Sequence, residues 1–248
     1  VGGHPVRSLN ERFSRVARIA SSNQIHLHPT APLAERVLLP GDPGRALALA
    51  QSLLDEPRMF NHHRGLWGYT GTAPDGLALT IQSTGMGGPS AAIVLTELIA
   101  LGARRAIRVG TCGALAPGLA LGELVIARES ICADGTSRAL GAGERVSADA
   151  ALTAALARHA PASSIATVVS VDLFYGGDDR TEHRDATAVE MEAAALFAVG
   201  ARAGVPVACM LAVSDTFDAH AKRTRIDEAA LLDAAEAMGR TAIAALSA

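Results

Sequence analysis

From Arg36 onward, short runs rich in Val, Ile and Leu alternate with alanine- and leucine-rich stretches of helical length. No other feature constrains the fold as strongly. "RVLLP" precedes a helix near 43–54, and "LWGYTG" and "LALTIQST" precede one over 88–102. "AIRVGT" and "ELVIARES" lead to a helix near 148–159; "IATVVSV", a helix from about 187 to 203, "VACMLAVSD" and a last helix from about 226 complete the series. Helices between apolar strands carry the chain back across a sheet, so the pattern predicts an α/β protein with a parallel or mixed sheet covered on both faces. Glycine-bearing turns, Pro40–Pro43, Gly85–Gly88 and Gly110–Gly113, fall where strands should end. Ligands in such sheets gather outside the carboxyl ends of the strands.

A chain of 248 residues, 49% hydrophobic, is long enough for one sizeable core. We expect one domain over 25–248, preceded by a flexible extension over 1–24 that lacks the apolar core of an export signal. "SAAIVLTELIALGA" is interrupted by Glu97 and is too short to span a bilayer. Net charge is −3 and Lys222 is the single lysine, which leaves no basic tract for nucleic acid or an acidic membrane. Cys112, Cys132 and Cys209 form no CxxC and no disulfide framework, as expected of reduced thiols in a cytoplasmic protein. The histidines show no metal-ligand spacing.

Within "RRAIRVGTCGAL", Arg108 stands between Ile107 and Val109 in an apolar strand. A buried guanidinium needs an anionic partner, and a tetrahedral oxyanion suits its fork. Thr111 adds a hydroxyl donor. In "LLPGDPGR", Gly41 lets the backbone approach a ligand and Arg45 lies in the first turn of a helix, although Gly-Asp-Pro is equally an ordinary strand-to-helix turn. "STGMGGPS" is better read as glycines packing before a helix than as a dinucleotide fingerprint, because Ser90 replaces the last glycine. In "VEMEAA", Glu190 and Glu192 bracket Met191 at a helix start, where a carboxylate suits either the helix dipole or vicinal hydroxyls. "LAVSD" ends a strand in Ser214-Asp215, a helix cap or a proton donor.

Together "LLPGDPGR", "HHRG", "STGMGGPS", "IRVGTCGA", "DLFYGG", "VEMEAA" and "VSD" resemble, in that order, the nucleoside phosphorylases, the family of hexameric purine nucleoside phosphorylases and uridine phosphorylases. The resemblance covers 25 to about 245. It implies a three-layer α/β/α fold around a mixed, partly barrel-like sheet. The implied reaction is reversible phosphorolysis of a nucleoside to free base and (deoxy)ribose 1-phosphate, with inorganic phosphate as co-substrate and no other cofactor. Gly41, Arg45, Arg108 and Thr111 would hold phosphate, joined by Arg64 from the neighbouring subunit of a homohexamer built from dimers. Met191 and Glu192, with Glu190 close by, would hold ribose; His26, or else His28, would reach the 5′-hydroxyl of the adjacent site. Cys112, Gly113, Phe174, Arg180, Ser214 and Asp215 would line the base. Asp215, its pKa raised, would protonate a purine at N7, assisted by Arg225 or Arg223.

Arg180 in "FYGGDDR" resembles the uridine branch, but Asp178 stands where that branch has a glutamine and Gly65 where it has a glutamate. Ser214-Asp215 resembles the purine branch, which we favour. Uridine phosphorylase and a methylthioadenosine-type nucleosidase remain the alternatives. Arg45 and Arg108 speak for phosphate rather than water as nucleophile.

Overall fold

The computed structural model describes residues 24–175, 185–218 and 222–247. The expected extension, Gln24 apart, and Arg180 lie outside them. The strands are β1 (Arg36–Leu39), β2 (Asp55–Asn61), β3 (Gly68–Thr72), β4 (Ala78–Gln82), β5 (Arg105–Ala114), β6 (Leu124–Ala133), β7 (Arg145–Ser147), β8 (Ser164–Val171), β9 (Ala188–Glu190), β10 (Val207–Phe217) and β11 (Arg223–Arg225). Between them lie α1 (Pro43–Leu53), α2 (Gly88–Leu101), α3 (Gly135–Ala139), α4 (Ala150–His159), α5 (Ala193–Ala203) and α6 (Glu228–Leu246).

β5 is the hub of the sheet. It runs parallel to β1 and to β10, and its far end pairs antiparallel with β9. β10 pairs with β6, β6 with β8, and β8 with β9, so this path returns to β5 and closes a small barrel. β1, β4, β3 and β2 extend the sheet beyond it.

Side-chain alternation along β10 shows how the layers form. Val207, Cys209, Leu211 and Val213 join the core beneath α2 and α5, whereas Ala208, Met210 and Ala212 join the core beneath α1, α4 and α6. A strand buried on both faces has no polar side to expose, which explains its continuous apolar run. The predicted three-layer arrangement with a partly closed mixed sheet is the observed one.

Two local expectations are corrected, and four elements were not foreseen. The helix expected from about 187 is a strand first: Val189 pairs with Gly113 on one side and Val169 on the other, and the helix begins only at Ala193. Two ladders of hydrogen bonds outcompete the helical tendency of that segment. The expected turn at Gly110–Gly113 is the continuation of β5, where Gly110 pairs with Leu211. The edge strands β2, β7 and β11 and the short α3 carry too little apolar patterning to be foreseen.

The turn after β1 forms as its sequence dictates, with Pro43 at the helix start and Asp42 Oδ1 accepting from Arg45 N at 2.7 Å. Elsewhere, buried Arg36 on β1 ties Asp75 in the β3–β4 turn to Ser247 at the end of α6, with 2.5 Å and 3.0 Å contacts to the carboxylate. Among the described residues no helix is long and apolar enough to cross a membrane.

Candidate active site

Arg108 shares a face of β5 with Ala106, so its side chain enters the layer beneath α2 and α5 rather than solvent. Only 3% of it is exposed. Its Nε donates to Glu190 Oε2 at 3.0 Å, and its Nη2 meets Glu192 Oε2 at 2.6 Å. Burial opposes the charge, but Glu192 and Glu190 outweigh it and hold the guanidinium well above its ordinary pKa. This corrects the expectation that Arg108 waits for a substrate anion: two carboxylates of its own chain already pair with it. Its long side chain fits because the next residue on the same face is Gly110. A Cβ there would lie 2.6 Å from Cζ and Nη2 and 2.8 Å from Nη1.

The remaining nitrogen, Nη1, faces the turn after β1. A Cβ built on Gly41 would come 4.0 Å from Arg108 Nη1 and 3.4 Å from Gly85 O, so the β1 and β4 turns and the guanidinium meet at one point. Arg45 stands nearby, partly buried. Its pKa is lowered by burial and by the charges of Arg108 and Arg225, against the pull of Asp42. Guanidinium groups that repel one another beside a glycine turn make a site for an anion. Thr111 follows on β5, half-buried. Arg64 is exposed in the 3₁₀ turn His63–Gly65, with a left-handed φ of 59°.

Glu192 sits just ahead of α5 and also accepts from Gly87 N at 2.5 Å, which joins the α2 turn to α5. Gly87 has φ 86°, a conformation natural to glycine. The glycine turn at 85–88 is thus used for packing and backbone approach; Gly88 lies where a Cβ would be 3.0 Å from Thr136.

Glu190 is a second correction. Expected beside ribose, its side chain is wholly buried and both oxygens have partners: Oε1 takes the Ser170 hydroxyl and Ala193 N, and Oε2 takes Arg108 Nε, Glu192 N and Ala193 N. Burial and the charge of Glu192 push its carboxyl up, against the pull of Arg108. Met191, between the two acids, is half-buried.

His26 is held on its own chain by Glu97 of α2, with Nδ1 2.7 Å from Oε1 and the His26 and Leu27 amides on the same carboxylate. His28 instead stacks on His63, ring centres 3.8 Å apart.

The end of β10 beside β5 is shaped by a bulge. Val213 pairs with Cys112 and Asp215 with Gly113, which leaves Ser214 as the extra residue that re-aims Asp215. Ser214 Oγ lies 2.7 Å from Asp215 Oδ2 and 3.2 Å from Cys112 O. Arg223 Nε reaches Asp215 Oδ1 at 2.6 Å and Arg225 Nη1 at 3.4 Å, because β11 folds back antiparallel on β10. Burial alone would raise the Asp215 pKa, yet hydrogen bonds from Arg223 and Ser214 and the charges of both arginines hold it below the usual range. With these partners it is an ionised carboxylate at neutral pH, the reverse of the raised pKa expected of a substrate-bound acid. Phe174 is 53% exposed with the Arg223 guanidinium 4.7 Å above its ring. Gly113 pairs with Asp215 and Val189, and the Cys112 thiol is buried, its pKa pushed up to about 12 by burial and by Glu190.

Gly110, Ser170 and Glu97 escaped the sequence reading. Only Gly110 carried a signal, a glycine at strand period two from a buried arginine. Among the described residues no group of three or more His, Cys, Asp or Glu is arranged to hold a metal ion.

The candidate site thus joins a guanidinium held by two carboxylates, the glycine turns after β1 and β4, and a Ser-Asp pair on which two further arginines converge. Known proteins place the chain accordingly. A family model described as the phosphorylase superfamily matches residues 35–248. The purine nucleoside phosphorylase, DeoD-type, of Clostridium beijerinckii is 37% identical over 209 residues, 78% of this chain and 86% of that protein. The enzyme of the same description from Geobacillus kaustophilus is 36% identical over 200 residues, 75% of this chain and 83% of that protein. The crystal structure of uridine phosphorylase from Vibrio fischeri superposes with a TM-score of 0.80 at 26% identity, covering 91% of this chain and 97% of that one. The chain belongs to the phosphorylase superfamily.

Proposed function

We propose that this protein catalyses the reversible phosphorolysis of a purine ribo- or deoxyribonucleoside to free base and pentose 1-phosphate. The observation that carries this reading is the buried guanidinium of Arg108, which faces the Gly41 turn with Nη1 and Glu192 with Nη2. It brings a turn suited to phosphate and a carboxylate suited to ribose to one fork. Gly41, Arg45, Arg108 and Thr111 take phosphate, with Arg64 supplied by a neighbouring subunit. Met191 and Glu192 take the ribose, and His26 of an adjacent copy reaches its 5′-hydroxyl. Gly113, Phe174, Ser214 and Asp215 take the base, with Arg180 and the Cys112 backbone at its edge.

A phosphate oxygen forms the new bond to C1′ as the C1′–N bond breaks and its electron pair passes to the base. Positioning and electrostatics supply most of the acceleration. Asp215 gives its proton to N7 of the departing purine, so it must first gain one. Arg223 holds the carboxyl ionised in the empty site and has to withdraw when a purine arrives. The relatives described as purine nucleoside phosphorylases support the purine assignment. The likeness to a uridine phosphorylase structure keeps a pyrimidine as the second reading.

Inosine, guanosine, adenosine, uridine and methylthioadenosine assayed with and without phosphate test all of this. Phosphate-dependent release of a purine base is the expected result. Uridine turnover would favour the second reading, and base release without phosphate would make the protein a nucleosidase. No cofactor enters the reaction. For the assembly we infer a homohexamer of dimers with shared sites, in the cytoplasm and in nucleoside salvage. Mixing Arg64→Ala with Arg108→Ala subunits should restore part of the activity, and a fully active monomer would contradict the sharing.

A further inference from the structure

The two carboxylates on Arg108 are not equivalent. Glu190 is walled in, with its oxygens taken by Ser170, Arg108 and the amides of Glu192 and Ala193, and Ser170 is itself backed by Ser130 Oγ and Ala194 N, each at 2.9 Å. To release Arg108, Glu190 would have to abandon the amino-terminal cap of α5 as well. Glu192 has one donor on each oxygen, Gly87 N on Oε1 and Arg108 Nη2 on Oε2, and its side chain is 8% exposed. Arg108 thus has one fixed contact, through Nε, and one that can be exchanged, through Nη2.

We propose that Glu190 is a positioning residue which anchors Arg108, while Glu192 is an exchangeable internal anion that competes with phosphate for Nη2, so that phosphate and nucleoside binding are positively coupled through this one guanidinium. The inference rests on the phosphorolysis reading and deepens it. Glu192 pairs with Nη2 and Glu190 holds Nε. A phosphate gripped bidentately by Nη1 and Nη2 draws Nη2 away, which leaves Glu192 without its cation. Sugar hydroxyls donating to Glu192 then compensate that loss. A nucleoside already bound to Glu192 weakens its hold on Arg108 and so tightens phosphate. Linkage requires the effect to be reciprocal and equal in both directions.

The test is calorimetric titration of the full-length protein with inorganic phosphate, alone and with a C-nucleoside whose carbon–carbon linkage is not cut. In the wild-type protein the nucleoside should tighten phosphate by at least about fivefold, the low end of measured couplings. Glu192→Gln should bind phosphate alone more tightly than wild type, and the nucleoside should no longer change that affinity. Glu190→Gln removes the same charge but leaves the competitor, so its coupling should persist while turnover falls. Glu192→Asp is too short to span Arg108 and Gly87 together, and should show reduced coupling without loss of the helix-cap charge. The proposal is overturned if the wild type shows no coupling, or if coupling survives in Glu192→Gln. It is also overturned if both Gln variants tighten phosphate and lose coupling alike, since then charge alone is at work. Absence of phosphate binding by the wild type would sink the phosphorolysis reading along with it. Phosphate binding and turnover without coupling would sink the inference alone.

Discussion

Gly110→Ala tests whether the guanidinium of Arg108 is held as tightly as its contacts indicate. The added methyl would come within 2.6 Å of Arg108 Cζ and Nη2, closer than non-bonded atoms approach without movement. Strand β5 is paired with β10 at Gly110 itself and with β1 as far as Arg108, so the backbone has little room to yield. The side chain must therefore shift, and one of its contacts with Glu190 or Glu192 is lost. A charge-assisted hydrogen bond is worth about 1.5–3 kcal/mol, and overpacking a dense interior costs about 1–3 kcal/mol. We expect a stability loss of about 2 kcal/mol in urea unfolding. If the same misplacement is felt in the transition state, 1.5–3 kcal/mol corresponds to a fall in kcat/KM for phosphate of about 10- to 150-fold. The decisive measurement is the double variant. With Arg108→Ala the methyl at 110 meets no guanidinium, so adding Gly110→Ala to it should cost little more activity. Wild-type kinetics in Gly110→Ala, or strictly additive losses in the double variant, would refute the reasoning.

Arg108→Ala leaves Glu190 and Glu192 buried without a counter-ion, a loss of about 3–5 kcal/mol at neutral pH. Burial already pushes the Glu190 carboxyl up and Arg108 opposes it, so without the guanidinium the deficit should be least near pH 5 and grow toward pH 8 in urea midpoints; a pH-independent deficit would contradict it. The Asp75 carboxyl is held well below the usual range, first by the Arg36 hydrogen bond and also by Ser247. Its contribution is complete above the unfolded pKa and is lost only as pH falls through the lower folded one, so Asp75→Asn should lose about 3 kcal/mol at pH 7 and progressively less below about pH 4, which acid titration of unfolding would check. Arg223→Gln should raise the Asp215 pKa, read as an upward shift of the corresponding limb of the kcat/KM pH profile; an unmoved limb would remove Arg223 as its partner. Asp215→Asn should slow inosine by about 10²–10⁴ but spare a nucleoside whose base leaves without protonation, and equal near-native rates on both would exclude the proton-donor role.

The sequence by itself determined the layers, because apolar alternation and helix-length repeats are local properties and their burial has few solutions. It also determined where the site residues cluster, since the turns containing Gly41 and Gly85 and the ends of β5 and β10 must converge in a sheet of this connectivity. Tertiary structure decided the rest. Glu190 lies on a strand because Gly113 and Val169 pair with its neighbour Val189, partners roughly eighty and twenty residues away in sequence. Arg108 is neutralised by the chain itself, a fact no local spacing carries, because the charge it meets is brought across the barrel by β9. Asp215 is ionised in the ligand-free chain because β11 returns two arginines to it, although its own strand reads only as apolar. Hydrophobic pattern is written in neighbouring residues; the pairing and protonation of buried charges depend on which distant segments the closed sheet brings together.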